Sequence, residues 1–264
     1  MTKHKTLESP PLVEALLEIK WDLQEITPGV FRDPGFSVAH LKFYEQVKAD
    51  FGFIEPLPSL QVPDELTAYI NKYRYRVGEG QWPLVQIGPG IATLNFTSPY
   101  DWESFLQRAR KLIPDLLTAY EGFNLTFSSV LLRFINAEPF DYENQDLLKF
   151  MEENLNTKFY PPVGPQTTST IRGIKGANWA LQYELVQLQG TGVLRFSTGV
   201  GPEGTKSVIW EQLIQSTGDQ VPQPDGKENA EIINWLRLAH DIIEEWFLSI
   251  TKGKLLEKYT GGEK

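Results

Sequence analysis

Apolar and polar residues alternate with a period of two over residues 12–22. Val13, Ala15, Leu17, Ile19 and Trp21 fall on one side, and Glu14, Leu16, Glu18, Lys20 and Asp22 on the other. That period predicts a strand with one buried face. Residues 23–37 hold Pro28, Gly29, Pro34 and Gly35 and read as a loop. Over residues 40–51 the spacing turns helical, with Leu41, Tyr44, Val47 and Phe51 as the apolar stripe and Gly52 as the stop. Residues 66–77 alternate and predict another strand. Two short apolar runs, 84–87 and 91–96, predict a hairpin around Gly88-Pro89-Gly90. Ser98 or Asp101 is placed to cap a long helix that reaches Tyr120. Its stripe is Phe105, Leu106, Ala109, Leu112, Ile113, Leu116 and Leu117, with a kink expected at Pro114 and an end at Gly122.

The second half repeats this order. A strand is predicted over 125–137 and a short helix over 144–155, with Leu147, Leu148, Met151 and Leu155 inward. Strand-like runs follow at 168–174, 179–188, 193–198 and 207–215, then a polar loop over 216–227. A last long helix over 228–250 carries Ile232, Trp235, Leu236, Ala239, Ile242, Ile243, Trp246 and Phe247 as its stripe. Local sequence agrees between the halves at Ala15–Ile19 with Val130–Phe134, and at Phe105–Ile113 with Trp235–Ile243. The expectation is an α+β chain of two pseudo-repeats, 1–122 and 123–264, packed as one globular unit. Each repeat runs strand, short helix, antiparallel strands, long helix. The order resembles the TATA-binding-protein-like arrangement, with a helix-grip fold or a split βαβ first half as alternatives. Such a resemblance implies no DNA-binding function, because function resides in sites rather than folds.

Composition narrows the chemistry. Hydrophobic residues at 41% and charged residues at 22% are those of a globular chain and not a disordered one. A net charge of −9 argues against nucleic acid, and the absence of cysteine removes disulfides, Cys-zinc sites and thiol nucleophiles. No run approaches the roughly 20 apolar residues of a membrane span, and the polar start lacks a secretory pattern. The expected location is the cytoplasm. Three histidines occur, His4, His40 and His240, with no His-x₃-His or HExxH pair, so no metal and no cofactor are expected. His240 reads as a helix-flank residue. The glycine-rich pieces at 88–90 and 199–204 lie between strands and read as turns rather than phosphate loops. Tyr73-Arg74-Tyr75-Arg76 puts both tyrosines on one strand face and both arginines on the other. A packed face and a solvated face explain this more simply than a nucleic-acid platform.

Arg133 stands between Leu131 and Ile135 on an apolar strand, and Glu18 holds the matching place in the first repeat. A charge there needs a partner, so the two are expected to form a register-fixing pair, with Arg133 alternatively holding an anionic ligand. Several short pieces also resemble a family. They are Glu8-Ser9-Pro10-Pro11-Leu12-Val13-Glu14-Ala15, Gln86-Ile87-Gly88-Pro89-Gly90, Asn95, Trp102-Glu103-Ser104-Phe105, Leu132-Arg133-Phe134-Ile135-Asn136, and Ala239-His240 through Ile250-Thr251. Together they resemble a sporadically distributed bacterial family of uncharacterised proteins of about this length. The resemblance implies a small cytoplasmic protein from a mobile or defence-associated neighbourhood, and no reaction. The leading expectation is a non-enzymatic binding or protein-interaction module, with a protein partner or a second copy as occupant of its groove. The alternative is a small-ligand-binding or hydrolytic helix-grip domain with a polar cavity near Arg133. Arg133, Asn136, His240, Glu18 and Asn95 are the candidate ligand-binding residues.

Overall fold

The computed structural model describes residues 7–163, 170–171, 173–224 and 229–261, apart from the side chain of Glu203. It is a mixed α/β protein built on a large antiparallel sheet. The strands are β1 (Leu12–Trp21), β2 (Gln24–Thr27), β3 (Val30–Arg32), β4 (Phe53–Pro56), β5 (Tyr73–Arg76), β6 (Leu84–Gly88), β7 (Ile91–Phe96), β8 (Phe127–Pro139), β9 (Asn178–Leu185), β10 (Gly190–Val200) and β11 (Lys206–Thr217). The helices are α1 (Phe36–Val47), α2 (Trp102–Ala119), α3 (Leu147–Asn154), α4 (Ala230–Thr251) and α5 (Lys254–Tyr259). Nine strands form one sheet in the order β4-β5-β6-β7-β1-β8-β11-β10-β9, and β2 and β3 pair separately. The two opening strands, β1 and β8, therefore meet antiparallel at its centre, with Leu17 opposite Leu132 and Ile19 opposite Val130.

The period-two pattern of β1 holds from Ala15 onward, whereas Val13, expected inward, is half-buried and Leu12 is buried in its place, where the register with β8 shifts. Ala15, Leu17, Ile19 and Trp21 are buried, while Leu16, Glu18 and Lys20 are half-buried on the other face. The inner faces of β6, β7 and β8 join α1, α2 and α4 in one core through Val85, Leu94, Leu132, Phe105 and Leu236. A second cluster lies under α3 and α5, around Phe196, Trp210, Met151 and Tyr259. Helix α2 starts where its cap says it should, the Asp101 carboxylate accepting from Ser104 N at 2.8 Å. It continues through Pro114. Between β6 and β7, Pro89-Gly90 makes a two-residue turn in which Gly90 takes φ +78°, the left-handed region open to glycine. A Cβ on Gly88 would stand 2.0 Å from the Ile70 carbonyl, so the residue 70–71 backbone lies directly on that strand.

Several expectations need correction. The expected loop over 23–37 contains the β2–β3 hairpin, whose strands lie mostly exposed. Helix α1 begins at Phe36 and buries Phe36, Ala39, Phe43 and Val47, leaving Leu41 exposed, because the stripe is rotated from the predicted one. The strand expected over 66–77 shrinks to Tyr73–Arg76, preceded by turns of 3-10 helix. Within 168–174 the described residues 170, 171, 173 and 174 form no strand; 168, 169 and 172 lie outside the described residues, as do 225–228 of the polar loop. Helix α5 was not foreseen, and its Tyr259 is buried. Among the described residues no helix is long and apolar enough to cross a membrane.

Candidate functional site

The five residues singled out from sequence fall on opposite faces of the sheet. Along β8 the side chains of Leu132, Phe134 and Asn136 turn towards the helices, and those of Leu131, Arg133 and Ile135 turn away. Arg133, Glu18 and Asn95 share that outer face; Asn136 and His240 lie beneath the helices.

On the outer face polar side chains form rows across the strands. Glu55 accepts from Arg74 Nη1 at 2.9 Å, Arg74 Nε donates to Gln86 at 3.1 Å, and Gln86 Nε2 donates to Asn95 Oδ1 at 3.3 Å. Asn95 Nδ2 in turn donates to Glu14 at 2.7 Å. Arg76 also donates to Glu55 at 2.7 Å, and these two guanidiniums hold the Glu55 carboxyl below its ordinary range, Arg76 foremost. The expected Glu18–Arg133 pair does not form. The register sets Glu18 opposite Leu131, and Glu18 is engaged by Lys20 at 2.7 Å. Arg133 Nη2 donates instead to Glu211 Oε2 on β11 at 2.7 Å, and Arg195 approaches the same oxygen at 3.5 Å. The nearer carboxylate lies on β11, the strand on the other side of β8 from β1. Tyr73 and Tyr75 face the helices while Arg74 and Arg76 meet Glu55, so this strand has a packed face and an ion-paired one.

Beneath the helices the arrangement differs. A cavity of about 230 Å³ opens between β8, β11, the start of α2 and the second half of α4. Its apolar walls include Phe134, Ile243, Phe247 and the 10–12 stretch. Its polar lining is Tyr100, Asp101, Glu103, Asn136, Gln212, His240 and Glu244. The buried Gln212 donates to Ile243 O at 3.0 Å and accepts a long contact of 3.5 Å from Asn136 Nδ2. The His240 ring stacks on Trp102 with centroids 3.8 Å apart and planes 10° apart, joining the two long helices at the cavity wall. Tyr100 packs edge-on against Phe134 at 5.5 Å, and its hydroxyl is buried without a hydrogen-bond partner among the described residues. Burial, then the charges of Asp101 and Glu244, push this phenol well above its ordinary range, so it stays a neutral donor. Asp101 is held below the carboxylate range by its bonds to Ser104 and stays charged.

The cavity thus contains Asn136 and His240 from the expected set but not Arg133, so the polar cavity is not near Arg133. Tyr100, Gln212 and Glu244 were missed. One signal was present: His240 and Glu244 stand four apart on a helix, and side chains at that spacing meet. Ligand atoms of His240, Asp241 and Glu244 in fact all lie within 4.8 Å of one another, a grouping able to hold a metal ion. No protein-family model matches the chain, and no curated protein matches it.

Proposed function

We propose that this protein is a non-enzymatic binding module whose small-molecule ligand occupies the cavity between β8, β11 and α4. The observation that carries this reading is the Tyr100 hydroxyl. A buried polar group without a partner costs roughly 1–3 kcal/mol, and such groups are rare in folded proteins unless something unseen satisfies them. Here the donor lines an apolar cavity that also holds the side chains of Asn136, Gln212, His240 and Glu244. Apolar walls with a few convergent polar groups are the usual form of a ligand site. The small-ligand reading stands above the protein-interaction reading because the outer-face charges pair with one another across the strands, Arg74 with Glu55 and Arg133 with Glu211.

The strand order supports a second element of the reading. Outward from the β1–β8 pair, each half lists its strands in reverse sequence order, as a duplicated TATA-binding-protein-like unit would. On this reading the cavity belongs to the seam between two copies, in a protein of the bacterial family that the sequence resembles.

The test is ligand-observed NMR with a library of monocyclic fragments, followed by Leu248→Trp, which fills the cavity wall. Fragment binding that vanishes in the variant, with thermal unfolding unchanged, is the expected result. Fragments that bind the variant equally well would remove the cavity from consideration.

A further inference from the structure

The two ends of the nine-stranded sheet are finished differently. At one end β4 is four residues long, closes on Pro56, which has no amide to offer, and pairs Glu55 with two arginines. Short length, proline and charge are the usual means of closing an edge to further strands. At the other end β9, Asn178–Leu185, is eight residues long, has no proline, lysine or arginine, and carries one charge, Glu184. Among the described residues it pairs with β10 alone, in an unbroken register from Asn178 opposite Ser197 to Leu185 opposite Gly190.

The ladder fixes which way the backbone of β9 points. Ala177 O accepts from Thr198 N at 2.9 Å. Facing residues of an antiparallel pair alternately exchange both hydrogen bonds or neither. Counting on from Ala177, residues 179, 181, 183 and 185 bond to β10, and the amides and carbonyls of Asn178, Ala180, Gln182 and Glu184 point away from it. The side chains alternate too. Trp179 stacks on Phe196 at 4.5 Å and Tyr183 meets Trp246 of α4 at 5.2 Å, so 179, 181, 183 and 185 lie on the helix face. The helix layer ends there: Leu181 stays 46% exposed, Tyr183 40% and Phe159, stacked on Trp179, 46%. Outward amides beside an apolar border make a template for another strand.

We propose that β9 is a self-association surface, on which β9 of a second copy adds antiparallel about a two-fold axis at Gln182 and carries the sheet across both chains. Outward-directed residues must face one another in such a pair. Gln182 then falls opposite Gln182 of the second copy, Ala180 opposite Glu184, and Leu181 opposite Tyr183. Charge selects this register. Ala180 lies opposite Arg195 on its other side. Glu184 of the second copy therefore stands two strand spacings from Arg195, about 4.8 Å each, with only a methyl group between the two long side chains. A slip of two residues either way sets Glu184 opposite Asn178 or Gln182, which lie beside Ser197 and Val193 and offer no cation. The one charge on the edge thus meets a guanidinium and not its own copy, twice over by symmetry. The surface shares no residue with the cavity lining, and the inference does not draw on the ligand reading.

Sedimentation equilibrium of the full chain over a range of micromolar concentrations tests it, and a reversible monomer–dimer equilibrium is expected, as befits a small interface. Gln182→Pro removes an amide that points away from β10, so it should weaken the dimer at least tenfold while thermal unfolding of the monomer stays unchanged. The chain has no cysteine, so single cysteines report the register. Facing residues stand about 5.5 Å apart, within disulfide reach, so Gln182→Cys should form a covalent dimer under oxidised glutathione. Ala180→Cys should not, because its two copies would lie about 14 Å apart along the strands. A chain that stays monomeric throughout would overturn the proposal. A dimer that survives Gln182→Pro would place the interface elsewhere, and equal cross-linking at 180 and 182 would overturn the symmetric register.

Discussion

Helix α2 is flanked by two tyrosines with buried hydroxyls that are treated in opposite ways. Beyond its C-terminal end, Tyr120 donates to the buried Asp33 carboxylate at 2.8 Å. Asp33 also accepts from Trp21 Nε1 and Gly35 N, each at 2.9 Å, and from Gly90 N at 3.0 Å. One carboxylate thereby ties together the end of β1, the entry to α1, the β6–β7 turn and the exit of α2. At the other end, Tyr100 has a buried hydroxyl, carboxylates in the neighbourhood and no hydrogen-bond partner among the described residues. Burial raises both phenols, so both are neutral donors. The contrast is between a buried tyrosine hydroxyl whose acceptor the chain supplies and one for which it supplies none among the described residues. In the first, both carboxylate oxygens are used by the chain. In the second, the Tyr100 hydroxyl is left facing a cavity.

The strongest way to break this comparison is Asp33→Ala. Three side-chain or backbone donors and the Tyr120 hydroxyl would lose their acceptor together, and a cost of about 4 kcal/mol is expected in urea unfolding. A loss below about 1 kcal/mol would mean that the hub is not structural. Next comes the pair of tyrosine variants. Tyr120→Phe removes a bond to a charged acceptor and should cost about 2 kcal/mol. Tyr100→Phe removes an unsatisfied hydroxyl and should leave the unliganded protein unchanged or up to about 1 kcal/mol more stable. Equal losses in the two would erase the distinction on which the ligand reading rests.

Two further carboxylates sharpen the contrast with smaller effects. Asp115, on α2, is half-buried, and desolvation lifts its carboxyl to about 6, with Asp50 adding to the rise and Lys111 opposing it. Because the folded value lies above the unfolded one, the charge costs stability above pH 6 and costs nothing below about pH 4. Discounted for its exposure, Asp115→Asn should stabilise by roughly 1 kcal/mol at pH 7 and by nothing at pH 3.5. Thermal unfolding of the two proteins across that interval checks the sign. Glu55 meets two guanidiniums but stays partly open to water. Its lowered carboxyl contributes stability at neutral pH that fades as the pH falls through its folded value. Glu55→Gln should cost less than about 1 kcal/mol, and less again in high salt. A loss as large as that of Asp33→Ala would show that burial is not what separates the two acids.

The elements legible in the sequence were those whose pattern is local. Strand β1 alternates cleanly from Ala15 onward, α2 carries its cap and its full stripe, and Pro89-Gly90 announces its turn. The rotation of α1 was hidden because Phe36 precedes the window that looked helical, and Leu41 mimics a core position while lying exposed. Strand β5 is shorter than its alternating pattern because the chain turns over residues 64–71 and joins the ladder only near Lys72, whose amide donates to Ile87 O. The cavity was the least legible part. Its polar residues, 100, 136, 212, 240 and 244, come from two strands, one helix and the approach to another, and only 240 and 244 are close enough in sequence to suggest contact. Arg133 drew attention because a charge on an apolar strand looks like chemistry. The structure answers it with Glu211, an ordinary cross-strand partner.

The last helix bears on the cavity from a distance. Tyr259 O accepts from the amides of Glu8 and Ser9, and Ser9 Oγ reaches Lys258 O at 3.3 Å across 249 positions of sequence. Tyr259 is anchored in turn by its hydroxyl on the buried Glu138 carboxylate at 2.7 Å. Leu7, Pro10 and Pro11, which close one side of the cavity, are thus clasped to the far end of the polypeptide. Loosening that clasp would free one wall of the chamber without touching any residue at its floor, so the shape of the cavity depends on a contact made by α5.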